Sequence, residues 1–342
     1  MNKFQIIKLC FFIQGFWLLS CSKETVQEHS FYFWRTTTHL STTEKQALQQ
    51  HHVSKLYVRF FDVDYSSETK QPQPLGVVDS LELLPKNLSL IPVVYITNRT
   101  FLNLKEPEIL PLAEHILQKI NGLYPNYQEL QIDCDWSEKT KMNYFNFLKT
   151  IKKLSKQSLK LTATIRLHQV KYPLRNGVPP VDGGMLMFYN MGNLHTMDGP
   201  NSIFDTEIAE KYTAYIKGYA LHLDVALPIF RWYVHYRNGK IIGLITKKQS
   251  PETKDTLYFY DTKNGATFNV RQPLLAHGIY YETGDVLKHE ALTDEALLKA
   301  ATLLKENLSQ ENRTVVLYDL DDININYYET KTLENVFSSF NR

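Results

Sequence analysis

The chain has 342 residues, 43% of them hydrophobic and 13% aromatic, which suffices for one large core or two small ones. Its 38 Lys and Arg against 36 Asp and Glu leave a formal net charge of +2, with no run of five like charges, so nothing points to nucleic acid as a partner. Three cysteines, Cys10, Cys21 and Cys134, are too few for a disulfide framework or a multi-cysteine zinc site, so a core must supply the stability.

Residues 1–20 have a basic start at Lys3 and Lys8 and an apolar run from Leu9 to Leu19, broken only by Gln14 and Gly15. That run is too short to span a bilayer as a helix. It ends Leu18-Leu19-Ser20-Cys21, which resembles the lipobox of bacterial lipoprotein precursors: an apolar residue, a small residue, then the cysteine that receives lipid. The expectation is a signal peptide over residues 1–20, a lipidated Cys21 and a polar tether over residues 21–30, with folding from Phe31 onward. An ordinary cleaved signal with an incidental cysteine is the alternative. No second apolar stretch reaches transmembrane length, so the lipid on Cys21 would be the membrane contact, at the bacterial cell envelope.

Downstream, short runs rich in Val, Ile, Tyr and Phe alternate with amphipathic helical segments, the pattern of a parallel sheet. Eight strands are predicted, at Phe31 to Arg35, Lys55 to Asp62, Leu90 to Thr97, Glu129 to Asp135, Lys160 to Arg166, Gly184 to Asn190, Ala220 to Phe230, and Thr314 to Leu320. Ser41-Thr42-Thr43-Glu44 is a capping box opening a helix after the first strand. Ile109, Leu112, Ala113, Ile116, Leu117 and Ile120 lie at helical spacing before the fourth strand, and Met142, Phe145, Leu148, Ile151 and Leu154 lie so after it. Further helices are predicted over Ile203 to Ile216, Thr293 to Leu308 and Thr330 to Phe340, with a long Pro- and Gly-rich loop after the fifth strand. Between strands seven and eight, residues 233–281 change to alternating strands with turns at Asn238-Gly239 and Asn264-Gly265, an inserted β-subdomain. The predicted fold class is α/β, a closed (β/α)8 TIM barrel over residues 31–342 carrying that insertion.

In such a barrel the functional groups sit where strands end, on the C-terminal face. In Leu130-Gln131-Ile132-Asp133-Cys134-Asp135-Trp136-Ser137, alternation puts Gln131, Asp133, Asp135 and Ser137 on one side and the apolar residues on the other. The apolar set suits the helix layer, so the carboxylates should face the barrel axis, ~6.5 Å apart along the strand, close enough to couple. Asp133 and Asp135 are therefore the candidate catalytic residues, one of them with a raised pKa.

Ile132-Asp133-Cys134-Asp135-Trp136 resembles the fourth-strand signature of family 18 glycoside hydrolases, the chitinase-like barrels, whose pattern is D-x-x-D-x-D-x-E. Met187-Phe188-Tyr189-Asn190 resembles that family's M-x-Y-D at strand six. The run Leu223 to Phe230 resembles its apolar seventh strand with a proline, and Val316 to Asp322 stands where its last strand ends. The resemblance implies Asp133 and Asp135 on the barrel floor, Tyr189 and Asn190 lining the pocket, and a glycan as ligand. It departs where the family's proton-donating Glu should stand, here Ser137, and where its first Asp should stand, here Leu130. A serine hydroxyl cannot serve as the general acid, so the family's mechanism does not carry over. Ser137 also reads as the N-cap of the following helix.

Arg35, Arg59, Arg99, Arg166 and Arg231 each fall near the C-terminal end of a predicted strand. Guanidinium groups gathered at one mouth would bind carboxylate, phosphate or sulfate, unless they neutralise Asp62, Asp64, Asp133 and Asp135 at the same level. Trp34, Tyr65, Tyr95, Phe101, Trp136, Tyr189 and Trp232 concentrate there too and suit stacking on sugar faces, although by alternation Trp136 belongs under the helices. His168 and His222 read as structural or exposed. Asp319-Leu320-Asp321-Asp322 reads as a solvated acidic turn, since a calcium site needs six or more arranged ligands. No G-x-G-x-x-G, P-loop, H-E-x-x-H or G-x-S-x-G occurs, so neither a nucleotide cofactor nor a metal is expected. The site set is Asp133 and Asp135 for catalysis, with Glu138 and Glu282 as weaker acids, and Arg35, Arg59, Arg166, Tyr189, Asn190, Arg231 and Trp232 for binding. These residues imply an envelope protein acting on or binding a glycan, an acidic one if the arginines are free. The alternative is a non-catalytic carbohydrate-binding lipoprotein.

Overall fold

Parallel strands that each bury one face against helices can satisfy both edges of their sheet by closing it, and the chain does so. The computed structural model describes residues 27–263, 265–309 and 311–341, so Cys21 and the leader lie outside the described residues. The ring consists of β1 (Gln27–Phe33), β2 (Lys55–Tyr65), β3 (Ser89–Ile96), β4 (Glu129–Asp133), β5 (Lys160–Arg166), β6 (Gly183–Met187), β7 (Leu223–Pro228) and β8 (Arg313–Tyr318). Each pairs in parallel with the next, and β8 pairs back onto β1. All the predicted strands are present in the predicted order. The strand Pro72–Leu75 lies outside the ring, antiparallel to the far end of β2. Its two prolines hide it from pattern reading, yet an edge position tolerates them.

The first strand starts earlier than predicted. Gln27 to Phe31 pair residue by residue with Arg313 to Leu317 of β8, so residues read as tether are part of the barrel wall. Backbone pairing carries this stretch, and Gln27, Glu28 and His29 give no apolar signal.

The Ser41 capping box forms as predicted: Ser41 Oγ accepts from the Glu44 N–H at 3.1 Å, and Glu44 Oε2 accepts from the Ser41 N–H at 2.9 Å. The helix Ile109–Leu123 buries the predicted face. The helix Lys141–Leu154 is turned relative to prediction, burying Tyr144, Phe147, Leu148 and Ile151 while Met142 and Leu154 are exposed. Aromatic packing sets this rotation, with Tyr144 stacked on Trp136 at 5.1 Å and Phe147 against Phe101 at 5.4 Å between centroids. The helices Thr206–Thr213, Asp294–Asn307 and Thr330–Ser338 lie within their predicted spans, and the loop after β5 contains two short helical turns.

The insertion runs from Trp232 to Glu290, beyond the predicted 233–281, because Val286–Glu290 pairs with the strand Trp232–Arg237 at the centre of its five-stranded antiparallel sheet. Asn238 and Gly239 take φ of 49° and 71°, the left-handed pair that a two-residue hairpin turn requires. Ile245, Phe259, Val270, Tyr281 and Leu287 form a small core separate from that of the barrel.

After β6 the chain doubles back, with the Asn190 N–H donating to Ile203 O at 2.8 Å and the Gly192 N–H to Ser202 O at 3.0 Å. A Cβ on Gly192 would stand 2.6 Å from the Ser202 Cα, so the two backbones meet only because that residue has no side chain. Gly192→Ala should therefore lower stability by about 1–3 kcal/mol in urea unfolding. Gly218→Ala, whose Cβ would meet nothing within 4 Å, should stay within about 0.5 kcal/mol of the parent.

Candidate functional site

The register of β4 against β5 builds the site from the inside. Glu129 pairs with Lys160 and Gln131 with Thr162, so alternate residues of both strands point into the lumen as rungs. At the lowest rung Glu129 accepts from Thr162 Oγ1 at 3.2 Å and Tyr57 Oη at 3.3 Å. Above it Gln131 accepts from the Tyr32 hydroxyl, and Asp133 accepts from Thr164 Oγ1 at 2.7 Å. Just past the strand end, Asp135 accepts from Arg166 through Nε and, at 3.2 Å, through Nη2. Leu130, Ile132, Cys134 and Trp136 face the other way and are buried in the helix layer, where Trp136 Nε1 donates to Asn176 O at 3.0 Å. The carboxylates thus face inward as the alternation predicts.

At the mouth lies a cleft of about 470 Å³. Asp133, Arg35, Arg59, Arg166, Tyr189, Asn190, Arg231 and Trp232 all line it. Asp135 borders instead an adjoining depression of about 330 Å³, together with His168 and Tyr212, and Arg166, Tyr189 and Asn190 belong to both. A bulge in β2 between Arg59 and Phe61 accompanies the placing of Arg59 in the cleft. Rings form a continuous wall: Trp34 to Tyr318 at 5.6 Å, Tyr318 to Tyr189 at 5.5 Å, Tyr189 to Phe230 at 5.5 Å, and Phe230 to Trp232 at 5.1 Å.

The charges are mostly matched. Arg35 holds Glu44 in a two-point contact, 2.7 Å on the Nη2 side, and Arg59 Nε donates to Asp62 at 2.7 Å. Arg166 holds Asp135, and Lys247 from the insertion lies 2.9 Å from Asp319 and 3.1 Å from Asp321. Arg99 pairs with Asp64 outside the cleft. The neutralising reading therefore holds for Asp62, Asp64 and Asp135. Arg231 differs: Nη1 donates to Ile323 O at 3.0 Å, the guanidinium lies 4.4 Å from the Tyr327 ring centroid, and among the described residues no carboxylate pairs with it.

Burial pushes the Asp133 carboxyl up to about 6, with the Asp135 charge adding and Arg166 and Thr164 opposing. Burial opposes the charge on Arg166, yet Asp135 and Asp133 hold it above its ordinary value. Burial also raises Asp319 against the pull of Lys247, and pushes His168 down.

Several expectations fail on position. Ser137 lines neither the cleft nor the depression, and Thr140 is the residue that precedes the next helix, with the Ser137 carbonyl accepting from the Thr140 and Lys141 N–H groups. Glu138 pairs with Arg175 and Glu282 with Arg237, both at exposed positions outside the cleft. His222, read as structural or exposed, sits at the opposite pole between Asp224 and Glu311, as that reading expects. Tyr65, Tyr95 and Phe101 do not reach the cleft. Asp319 and Asp321 are not a solvated turn: at 8% and 9% exposure they are buried in the cleft wall. Sequence reasoning missed Lys247, Phe230 and Tyr318 as lining residues; Tyr318, at the end of β8, and Phe230, just past β7, were legible from strand ends, whereas Lys247 was not.

Asp133 also gives a pH signature. Its folded value lies above the 3.8 of an unperturbed carboxyl, so ionisation penalises the folded state once the pH rises through that interval. Asp133→Asn, which keeps an acceptor for Thr164, should add no stability near about pH 4, with a gain growing to about 3 kcal/mol by about pH 7. Urea unfolding across that range checks it; a gain independent of pH would show that Asp133 titrates as a solvated group.

No family model and no curated protein sequence matches the chain. Solved structures do. A chitinase from Bacteroides thetaiotaomicron superposes with a TM-score of 0.54 at 12% identity, covering 92% of this chain and 97% of that one. The spore cortex-lytic enzyme SleL of Bacillus cereus gives 0.53 at 11% identity, covering 92% and 75%. A family 18 chitinase from Flavobacterium johnsoniae gives 0.50 at 11% identity, covering 92% and 94%. The chain therefore has the (β/α)8 fold of the family 18 glycoside-hydrolase barrels, in a diverged form.

Proposed function

We propose that this protein is a glycoside-hydrolase-like glycan receptor of the bacterial envelope, anchored through lipid on Cys21 and binding an oligosaccharide across the barrel mouth. The observation that carries the reading is the unbroken wall of rings from Trp34 through Tyr318, Tyr189 and Phe230 to Trp232, set beside charged hydrogen-bonding groups in one cleft. Pyranose rings have apolar faces and polar rims, and such a wall matches both. The likeness in fold to chitinases supports a saccharide ligand, although a fold alone does not carry an activity. An acidic glycan suits the site better than a basic one, since the cleft contains a guanidinium without an acidic partner.

A second reading, hydrolysis, is favoured by one observation: Asp133 lies in the cleft with its carboxyl pushed up to about 6, in the range where a group gives up a proton near neutrality. In that reading Asp133, with Asp135 beside it, replaces the glutamic acid whose position Ser137 occupies. The proton would pass from the Asp133 carboxyl to the glycosidic oxygen as the bond to the leaving sugar breaks, while a water bonds to the anomeric carbon and its released proton restores the Asp133 carboxyl.

Calorimetry of the full chain against a panel of neutral, amino and uronic oligosaccharides tests binding. Trp232→Ala should weaken whichever ligand binds by about tenfold, as loss of a stacking ring implies. Reducing-end release assays test the second reading: release should fall as the pH rises past about 6 and vanish in Asp133→Asn while binding persists. Binding without release leaves the receptor reading alone standing. For the anchor, Cys21→Ser expressed in a bacterial host should move the chain from the membrane fraction to the soluble one and abolish fatty-acid labelling. Membrane retention without labelling would contradict a lipid anchor.

A further inference from the structure

We propose that Arg231 docks one anionic substituent, a carboxylate or a sulfate, on the sugar that lies against Trp232. The inference rests on the glycan reading of the cleft and names the class of glycan within it. Every other cation that lines the cleft already faces an acid: Arg35 has Glu44, Arg59 has Asp62, Arg166 has Asp135, and Lys247 has Asp319 and Asp321. Such pairs offer a ligand little net charge, because a ligand anion would have to displace or share a carboxylate already in place.

Arg231 stands between Phe230 and Trp232, both of which line the same cleft. Two contacts fix its orientation without neutralising it: the bond from Nη1 to Ile323 O, 3.0 Å, and the stacking of its guanidinium on Tyr327, 4.4 Å from the centroid. Nε and Nη2 have no acceptor on the protein among the described residues. Glu290, which pairs with the neighbouring Trp232, is committed elsewhere, accepting from Trp232 Nε1 at 3.0 Å and lying 2.9 Å from Lys288 Nζ. A guanidinium held beside an aromatic ring, with Nε and Nη2 on one edge unused, can take an oxyanion in a two-point contact. Trp232, whose indole N–H is turned to Glu290, lines the same cleft and is available to the sugar ring. One bound anion per site follows, not the broad attraction that a ring of free arginines would exert.

The competing account makes Arg231 a strut that only ties the turn at Ile323 to the barrel. Calorimetry on the full chain separates the two with matched probes: oligogalacturonate and its methyl ester, sulfated and plain dextran oligosaccharides, and the N-acetylglucosamine tetramer as a neutral ligand. The inference expects an acidic member of a pair to bind about tenfold more tightly than its neutral partner, with the margin shrinking as salt is raised. Arg231→Gln should erase that margin by lowering affinity for the acidic member to that of its neutral partner. Arg231→Lys should restore part of it. The galacturonate pair and the dextran pair report separately on carboxylate and sulfate. Equal affinity for both members of each pair, or an acid preference that survives Arg231→Gln, overturns the inference. If Trp232→Ala still weakens binding in that case, the glycan reading stands. If no probe binds the parent chain, the glycan reading falls, and this inference falls with it.

Discussion

The organisation of the molecule depends on the inner face of a closed parallel ring, which leaves every second residue of each strand in a space with little water. Polar residues placed there must find partners from neighbouring strands. The acceptors of β4 meet this demand in order, Glu129 from Thr162, Gln131 from Tyr32 of β1, Asp133 from Thr164 and Asp135 from Arg166. Because the pairing is in register, a slip of one residue would send all four acceptors into the helix layer and bring Leu130, Ile132, Cys134 and Trp136 into the lumen. The same constraint that selects the fold thereby delivers carboxylates to the mouth. Asp133 is buried beneath the Arg166–Asp135 pair, and burial, with the Asp135 charge adding, raises its proton affinity against the opposing pull of Arg166 and Thr164.

Much of the charge at the mouth is consumed internally. Partly exposed pairs such as Arg166 with Asp135 contribute roughly 0–1 kcal/mol each to stability. Their larger effect is on the cleft, which presents hydrogen-bonding groups of both signs around an aromatic wall and little net field. Ser137, two residues beyond Asp135, lies outside the cleft, so that position brings no acid to it.

How much of this could be read from the chain follows from the range of the interactions. Period-two alternation and strand order are local properties, and they located Asp133, Tyr189, Asn190, Trp232 and four of the five arginines in or beside one cleft. Which acid meets which arginine is not local. Arg35 is held by Glu44 from the next helix and approaches Asp321 from the far end of the chain, a neighbour only because β8 closes on β1. Lys247 lies in an insertion whose pattern announces antiparallel strands and says nothing of where they sit against the barrel. The helix Lys141–Leu154 was misaligned for a related reason: Tyr144 and Phe147 are drawn inward by Trp136 and Phe101, rings supplied by other segments.

The insertion also divides the labour of the site. The floor, with Asp133 and its rungs, is barrel, and the sequence there is constrained by register on both sides. The wall with Trp232, Thr246 and Lys247 belongs to a separate small sheet with a core of its own. That sheet is braced by the loop after β6, where Tyr236 Oη donates to Leu194 O at 2.8 Å, Lys288 Nζ to Gly199 O at 2.8 Å, and Ser202 to Glu290. Arg231 falls at the joint between the two units, directly after the end of the barrel strand and before the first strand of the insertion. Side chains on the wall can change without disturbing the ring's register, whereas Asp133 cannot move without altering the packing of β4 on β5. The insertion wall and the proton affinity of Asp133 thus belong to different parts of the fold, and divergence in the first need not erase the second.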